Sequence, residues 1–169
     1  MPRYYCRVCW NTKGWESPSG RTKHEGTNAG AKGFGQEEWL FRPDWILEGY
    51  HYAFLQPIEN GRSKKWKGKS LDLLLWSYSP SREWCEVGQI SNCSVVSREK
   101  EAEVLGKYEK NGWLQQMREG VSAVGGRNGN DHWHFNVRFR VDDVKLKDPL
   151  LPLTRRPATA RCQLVLVAE

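Results

Sequence analysis

The sequence predicts an α+β fold, a curled mixed β-barrel with flanking helices. Three observations carry this expectation. An aromatic and β-branched run without breakers, RYYCRVCW at residues 3–10, opens the chain as a strand. A helical insert at residues 98–124, with apolar residues at helical spacing, stands between strand-like runs. Late in the chain, HWHFNVRFRV at residues 132–141 alternates apolar and polar residues with a period of two. An early strand, a short helix, several strands and a helical insert followed by another strand suit a small mixed barrel.

Taken in order, the first strand would turn Tyr5, Arg7 and Cys9 one way and Tyr4, Cys6, Val8 and Trp10 the other. It ends at the turn-forming Asn11-Thr12-Lys13-Gly14, before Trp15. Residues 16–35 hold little to bury and read as a long loop, in which Arg21, Lys23 and His24 are candidate phosphate contacts. EEWLFRPDWIL predicts a short helical turn that stops before Pro43. GYHYAFLQPI, residues 49–58, reads as a strand closed by the Asn60-Gly61 turn. Residues 62–70, RSKKWKGKS, form a basic loop around Trp66. SLDLLLWSYS predicts a central strand from Ser70, and WCEVGQISNCSVV its return partner with a bulge near Gly88. Ser97 is an N-cap for a helix whose inward face is Ala102, Val104, Leu105 and Tyr108. Asn111-Gly112 ends it, and a second helix follows with Leu114, Met117 and Val121 inward. In the late strand Trp133, Phe135, Val137, Phe139 and Val141 face the core, and His132, His134, Asn136, Arg138 and Arg140 face out. Residues 144–153 carry prolines and are expected to leave the sheet, and CQLVLV gives a short final strand.

The chain has 169 residues, 38% hydrophobic and 27% charged, which supports a single domain over residues 1–153. Residues 154–169 are then a C-terminal strand or a linker to a possible effector domain. No apolar run approaches membrane-spanning length and the first residues lack a signal-peptide core, so a cytoplasmic protein without membrane contact is expected. Five cysteines, an odd count, argue against a disulfide framework. Cys6 and Cys9 form a CxxC without a second half at a usual zinc spacing, and read as small hydrophobes near a strand. No cofactor and no metal is expected.

Lys plus Arg exceed Asp plus Glu by 26 to 20, a net charge of +6, and there are nine tryptophans. A basic chain rich in flat aromatic faces suits a polyanion whose bases can stack. The stretch GFGQEEWLF, Gly33 to Phe41, combines permissive glycines, the faces of Phe34 and Trp39, and the polar edges of Gln36, Glu37 and Glu38. That is chemistry for holding a nucleobase, although a helix N-terminus with acids in its first turn and Trp39 in the core explains it as well.

RYYCRVCWN, GFGQEEWLF, LDLLLWSYS with VGQISNCSVV, and HWHFNVRFRVDDVKL resemble, in that order, the first strand, the aromatic and amide-bearing segment, the apolar strand with its glycine-containing return, and the late strand of the PUA-like superfamily. The likeness is to EVE and YTH-type domains in particular, and it spans most of the chain. GYHYAFLQPI and the long loop at 16–35 look like insertions. The resemblance implies a recognition domain rather than an enzyme, one that flips a base from nucleic acid and holds it between aromatic walls. Such domains serve modification-dependent restriction systems. The partner would be double-stranded DNA carrying a methylated or hydroxymethylated cytosine, or a methylated adenine, with nuclease activity in a fused or partner domain.

On this reading two of Trp15, Phe34, Trp39 and Trp76 stack on the base. Asn11, Gln36, Glu37 and Ser77 read its edge. Arg62, Lys64, Lys65, Lys67, Arg138 and Arg140 hold phosphates. Three other readings stay open: an RNA-binding domain of the same fold, a metal-dependent hydrolase built on Asp131, His132 and His134 with Glu37 or Glu38, and a protein-binding domain whose tryptophans are core.

Overall fold

A computed structural model describes residues 2–20, 32–128 and 131–167. The candidate phosphate contacts Arg21, Lys23 and His24 lie outside the described residues. The fold is mixed α+β, with an eight-stranded sheet and, among the described residues, three helices. The strands are β1 (Arg3–Arg7), β2 (Ile46–Leu47), β3 (Tyr50–Ala53), β4 (Ser70–Tyr78), β5 (Trp84–Val95), β6 (Val137–Phe139), β7 (Val144–Pro152) and β8 (Val165–Leu166). The helices are α1 (Gln56–Glu59), α2 (Arg98–Lys110) and α3 (Trp113–Ala123), with 3₁₀ turns at Gln36–Trp39 and Val141–Asp143.

The sheet runs β2-β3-β6-β5-β4-β1-β8. β1 lies parallel to β4, and the remaining pairs are antiparallel. β4 is central, as its apolar run predicts. β5 holds the fold's fork: one edge pairs with β4, while the other pairs with β7 over Cys85 to Ile90 and then with β6 at Ser94 and Val95. The fork opens between Ile90 and Ser94, and within the β7-paired part the register shifts on both sides next to Gly88. A Cβ there would stand 2.4 Å from the Lys145 carbonyl oxygen. Gly88→Ala should therefore cost about 1–3 kcal/mol by forcing β7 off β5. Urea unfolding checks this; an unchanged midpoint would mean that β7 yields without loss.

Residues 144–153 do not leave the sheet as expected. They form β7, an edge strand whose Pro149 and Pro152 need no ladder donor on the open side. GYHYAFLQPI is not one strand either. It divides into β3 and the single turn α1, because Pro57 fits the first turn of a helix and cannot donate to a ladder. The late strand is ordered as a ladder only over β6, and Val141, already in a 3₁₀ turn, is exposed rather than inward.

Helix signals behave as the sequence predicts. The Ser97 hydroxyl accepts from the Lys100 amide at 3.2 Å, and Gly112, left-handed at φ 73°, divides α2 from α3. Leu114, Met117 and Val121 are buried. On α2, however, Glu101 takes the inward place expected of Ala102. One apolar cluster lies over β1, β4 and β5 and includes Cys6, Val8, Leu73, Leu75, Val87 and Ile90. A second joins Val104, Tyr108, Leu114 and Met117 to Phe34, Trp39, Trp45, Tyr52, Trp133 and Phe135. Among the described residues no helix is long and apolar enough to cross a membrane.

Candidate nucleic-acid interface

The end of β1 and the first 3₁₀ turn do come together, as a buried polar joint. Asn11 is 2% exposed. Its Oδ1 accepts from the Lys13 and Trp15 amides at 2.6 and 2.9 Å, and its Nδ2 donates to the Ser17 carbonyl and Glu38 Oε1 at 2.8 and 3.0 Å. Glu37 bridges two chain segments, accepting from the Cys9 amide at 2.7 Å and the Gln56 amide at 3.0 Å. Burial pushes its carboxyl up, against the opposing pull of those amides. Trp15 donates its indole N–H to the Cys9 carbonyl at 2.9 Å.

These residues therefore spend their polar atoms inside the fold. The expected edge-readers Asn11 and Glu37 hold loops, and the expected wall Trp15 is core. Phe34 and Trp39 join Trp133 in a buried aromatic cluster, with Trp39 edge-on to both neighbours at 6.0 and 5.6 Å. Such edge-to-face packing fills space and leaves no parallel slot between these rings.

Trp76 and Ser77 stand apart from this group, in and beside a third small cluster with Tyr5 and Leu153. Trp76 is covered by Trp84, stacked at 4.4 Å and 14° from parallel, and the Ser77 hydroxyl donates to the Val8 carbonyl at 2.9 Å. The apolar run LDLLLWS predicts a strand that ends near both; only the tertiary pairing shows them closed.

Gln36 is different. It lies at the surface, and its side-chain amide pairs with a passing backbone like an extra strand residue. Nε2 donates to the His132 carbonyl at 3.0 Å, and Oε1 accepts from the His134 amide at 2.8 Å. His132 and His134 project beside it, their rings 6.5 Å apart and 13° from parallel. Asp131 does not join them. Arg118 holds both of its carboxylate oxygens at 3.0 Å, and the Trp133 indole donates to it at 2.8 Å. Among the described residues no three His, Cys, Asp or Glu side chains are arranged to hold a metal, so the expected Asp131/His132/His134 grouping does not form.

The cations divide sharply. Arg62 is not a phosphate contact: it is 4% exposed and its guanidinium is surrounded. Nε donates to the Val96 carbonyl at 2.7 Å, Nη1 to Glu101 at 2.8 Å, and Nη2 to the Ser97 and Phe135 carbonyls at 3.1 and 3.0 Å. Glu101 also binds Arg98 at 3.0 Å, the Phe135 amide at 3.0 Å and His134 Nδ1 at 3.2 Å. Burial alone would raise the Glu101 carboxyl; these donors and charges outweigh it and hold the group at about 2.

Lys64, Lys65 and Lys67 are exposed as expected. Lys65 and Lys69 lie 4.5 and 5.6 Å from the centre of the buried Trp66 ring, so the tryptophan anchors the lysines rather than facing a ligand. Arg138 and Arg140 flank Tyr50 at 4.5 and 5.3 Å.

Beside this loop lies a cleft of about 390 Å³, lined by Lys69, Lys100, Arg138, three serines (Ser70, Ser94 and Ser97), Gly68, Val95 and Val96. No carboxylate lines it. It sits where the β6-paired end of β5, the start of β4 and the N-terminal turn of α2 meet. Of its cations only Arg138 was singled out in the sequence. Lys69 belongs to the RSKKWKGKS run and Lys100 to the helix read as structural; their convergence is a tertiary fact. No protein-family model matches the chain, and no curated protein or solved structure matches it either.

Proposed function

We propose that this chain is a nucleic-acid-binding module of PUA-like type that engages a modified base in DNA. Methylated or hydroxymethylated cytosine is the first candidate and methylated adenine the next. The module would act as the specificity part of a modification-dependent restriction system, with cleavage in a fused or partner nuclease. The observation that supports this best is the cleft beside the basic loop. Three cations and three serines line it; Lys100 is also paired with Glu103 at 2.9 Å, and the loop that supplies Gly68 and Lys69 carries the exposed Lys64, Lys65 and Lys67. Phosphodiesters are bound by just this mix of charge and neutral donors. The polar joint of Asn11, Glu37 and Glu38 serves on this reading as the frame, not as the base-reading edge.

The test is equilibrium binding to short duplexes, unmodified and modified, across a salt series. Wild type should bind at low salt and prefer one modified duplex. Lys69→Ala and Arg138→Ala should each weaken all duplexes alike and lower the salt slope by roughly one. A wild-type chain that binds no duplex at low salt would sink the proposal. Preference for matched RNA over DNA would move the reading to an RNA module.

A further inference from the structure

We propose that His132 and His134 are the two walls of a nucleobase-stacking slot. The proposal rests on the nucleic-acid reading above and supplies what the buried aromatic residues do not, a pair of accessible parallel faces. Residues two apart on extended backbone lie on one side of the chain about 6.6 Å apart, and this repeat sets the spacing of the two rings. The rings are 13° from parallel with centres 6.5 Å apart. A flat ring inserted between two others needs about 7 Å, two layers at roughly 3.4 Å each. The 6.5 Å between ring centres falls slightly short of that, so the rings part a little to admit a base; imidazole is a stacking partner for unstacked bases.

The slot is also built in advance. The Gln36 amide fixes the backbone at both histidines, at 3.0 and 2.8 Å. His134 is braced by Glu101 at 3.2 Å and by the Phe54 ring at 5.9 Å. His132 is exposed and forms the outer wall. The N-terminal turn of α2 links the slot to the cleft. Ser97 and Lys100 line the cleft, while Arg98 and Glu101 reach toward His134 through the carboxylate that Arg98 and His134 share. The same helical turn thus supplies residues to the cleft and, through Glu101, a brace to the slot, and it carries Arg98, more than half exposed and paired with Glu101.

The slot is tested with the whole chain and two duplexes. One carries 2-aminopurine at a central mismatch, where extrusion is least costly, and the other an abasic residue at the same place. Wild type should favour the base-containing duplex by roughly 5- to 150-fold, the range of one stacking contact. His132→Ala should erase that preference and leave abasic binding unchanged, whereas His132→Phe should keep it. If His132→Ala retains the preference, or wild type binds both duplexes equally, the slot is refuted while nucleic-acid binding stands. If wild type binds neither at low salt, both readings fall together.

Discussion

Arg62→Ala should unfold the domain more readily than any substitution in the basic loop that follows it, lowering stability by about 3–5 kcal/mol. Arg62 sits 4% exposed among three carbonyls and Glu101, and its removal strands a buried carboxylate together with the Val96, Ser97 and Phe135 oxygens. For a chain of this size the loss corresponds to a fall in melting temperature of roughly 6–20 °C. Arg62→Lys should recover little, because one ammonium cannot span acceptors arranged around a planar fork. In a double-mutant cycle Arg62→Met and Glu101→Gln should couple by more than about 1 kcal/mol, since the pair lies at 2.8 Å. Lys64→Ala and Lys67→Ala, both at exposed positions, should change the urea midpoint little. An Arg62→Ala protein as stable as these lysine variants would show that the buried network is not holding the loop to α2.

That contrast also marks where the sequence is legible and where it is not. A pattern confined to neighbours along the chain carries over into structure. The apolar run of β4 is central, Ser97 caps α2, Gly112 breaks the helices apart, and Leu114, Met117 and Val121 turn inward. Arg62 and Lys64 cannot be told apart in this way. They stand in one charged run, and what separates them is the arrival of Val96, Glu101 and Phe135 from distant segments. Glu101 defeats periodicity for the same reason: three cationic or ring donors and an amide make a charged side chain a better inward residue than Ala102. β7 was hidden by its prolines, which an edge strand tolerates. At the candidate site, polar residue types at the end of β1 looked like ligand-readers because a sequence does not record which donors are already taken. Gln36 and the two histidines were visible as types, and their alignment through one side-chain amide was not.

Glu38→Ala is the second substitution expected to act strongly, and it joins the buried joint to the proposed interface. Glu38 is fully buried and acts as an acceptor hub. Oε1 accepts from Asn11 Nδ2 at 3.0 Å, the Ser19 amide at 3.0 Å and the Ser19 hydroxyl at 3.2 Å, and Oε2 accepts from the Gly35 amide at 3.0 Å. Truncation leaves several of these donors unpaired, each costing about 1–3 kcal/mol where water cannot reach it. A total loss of roughly 3–5 kcal/mol follows if partial hydration relieves some of them. Glu38→Gln should be intermediate, because one carboxylate oxygen becomes an amide group that faces donors instead of accepting from them. The change should be local before it is global. Residues 11–19 lose their tie to the 3₁₀ turn, so trypsin should cut after Lys13 faster in Glu38→Ala than in wild type under native conditions. Gln36 begins the same turn, and it is Gln36 that aligns His132 with His134. Loosening the hub should therefore weaken base-dependent binding more than phosphate-dependent binding, lowering the preference for the 2-aminopurine duplex while the salt slope persists. A Glu38→Ala protein with wild-type cleavage kinetics at Lys13 would show that the loop is held by other means, and the link from buried carboxylate to base slot would be lost.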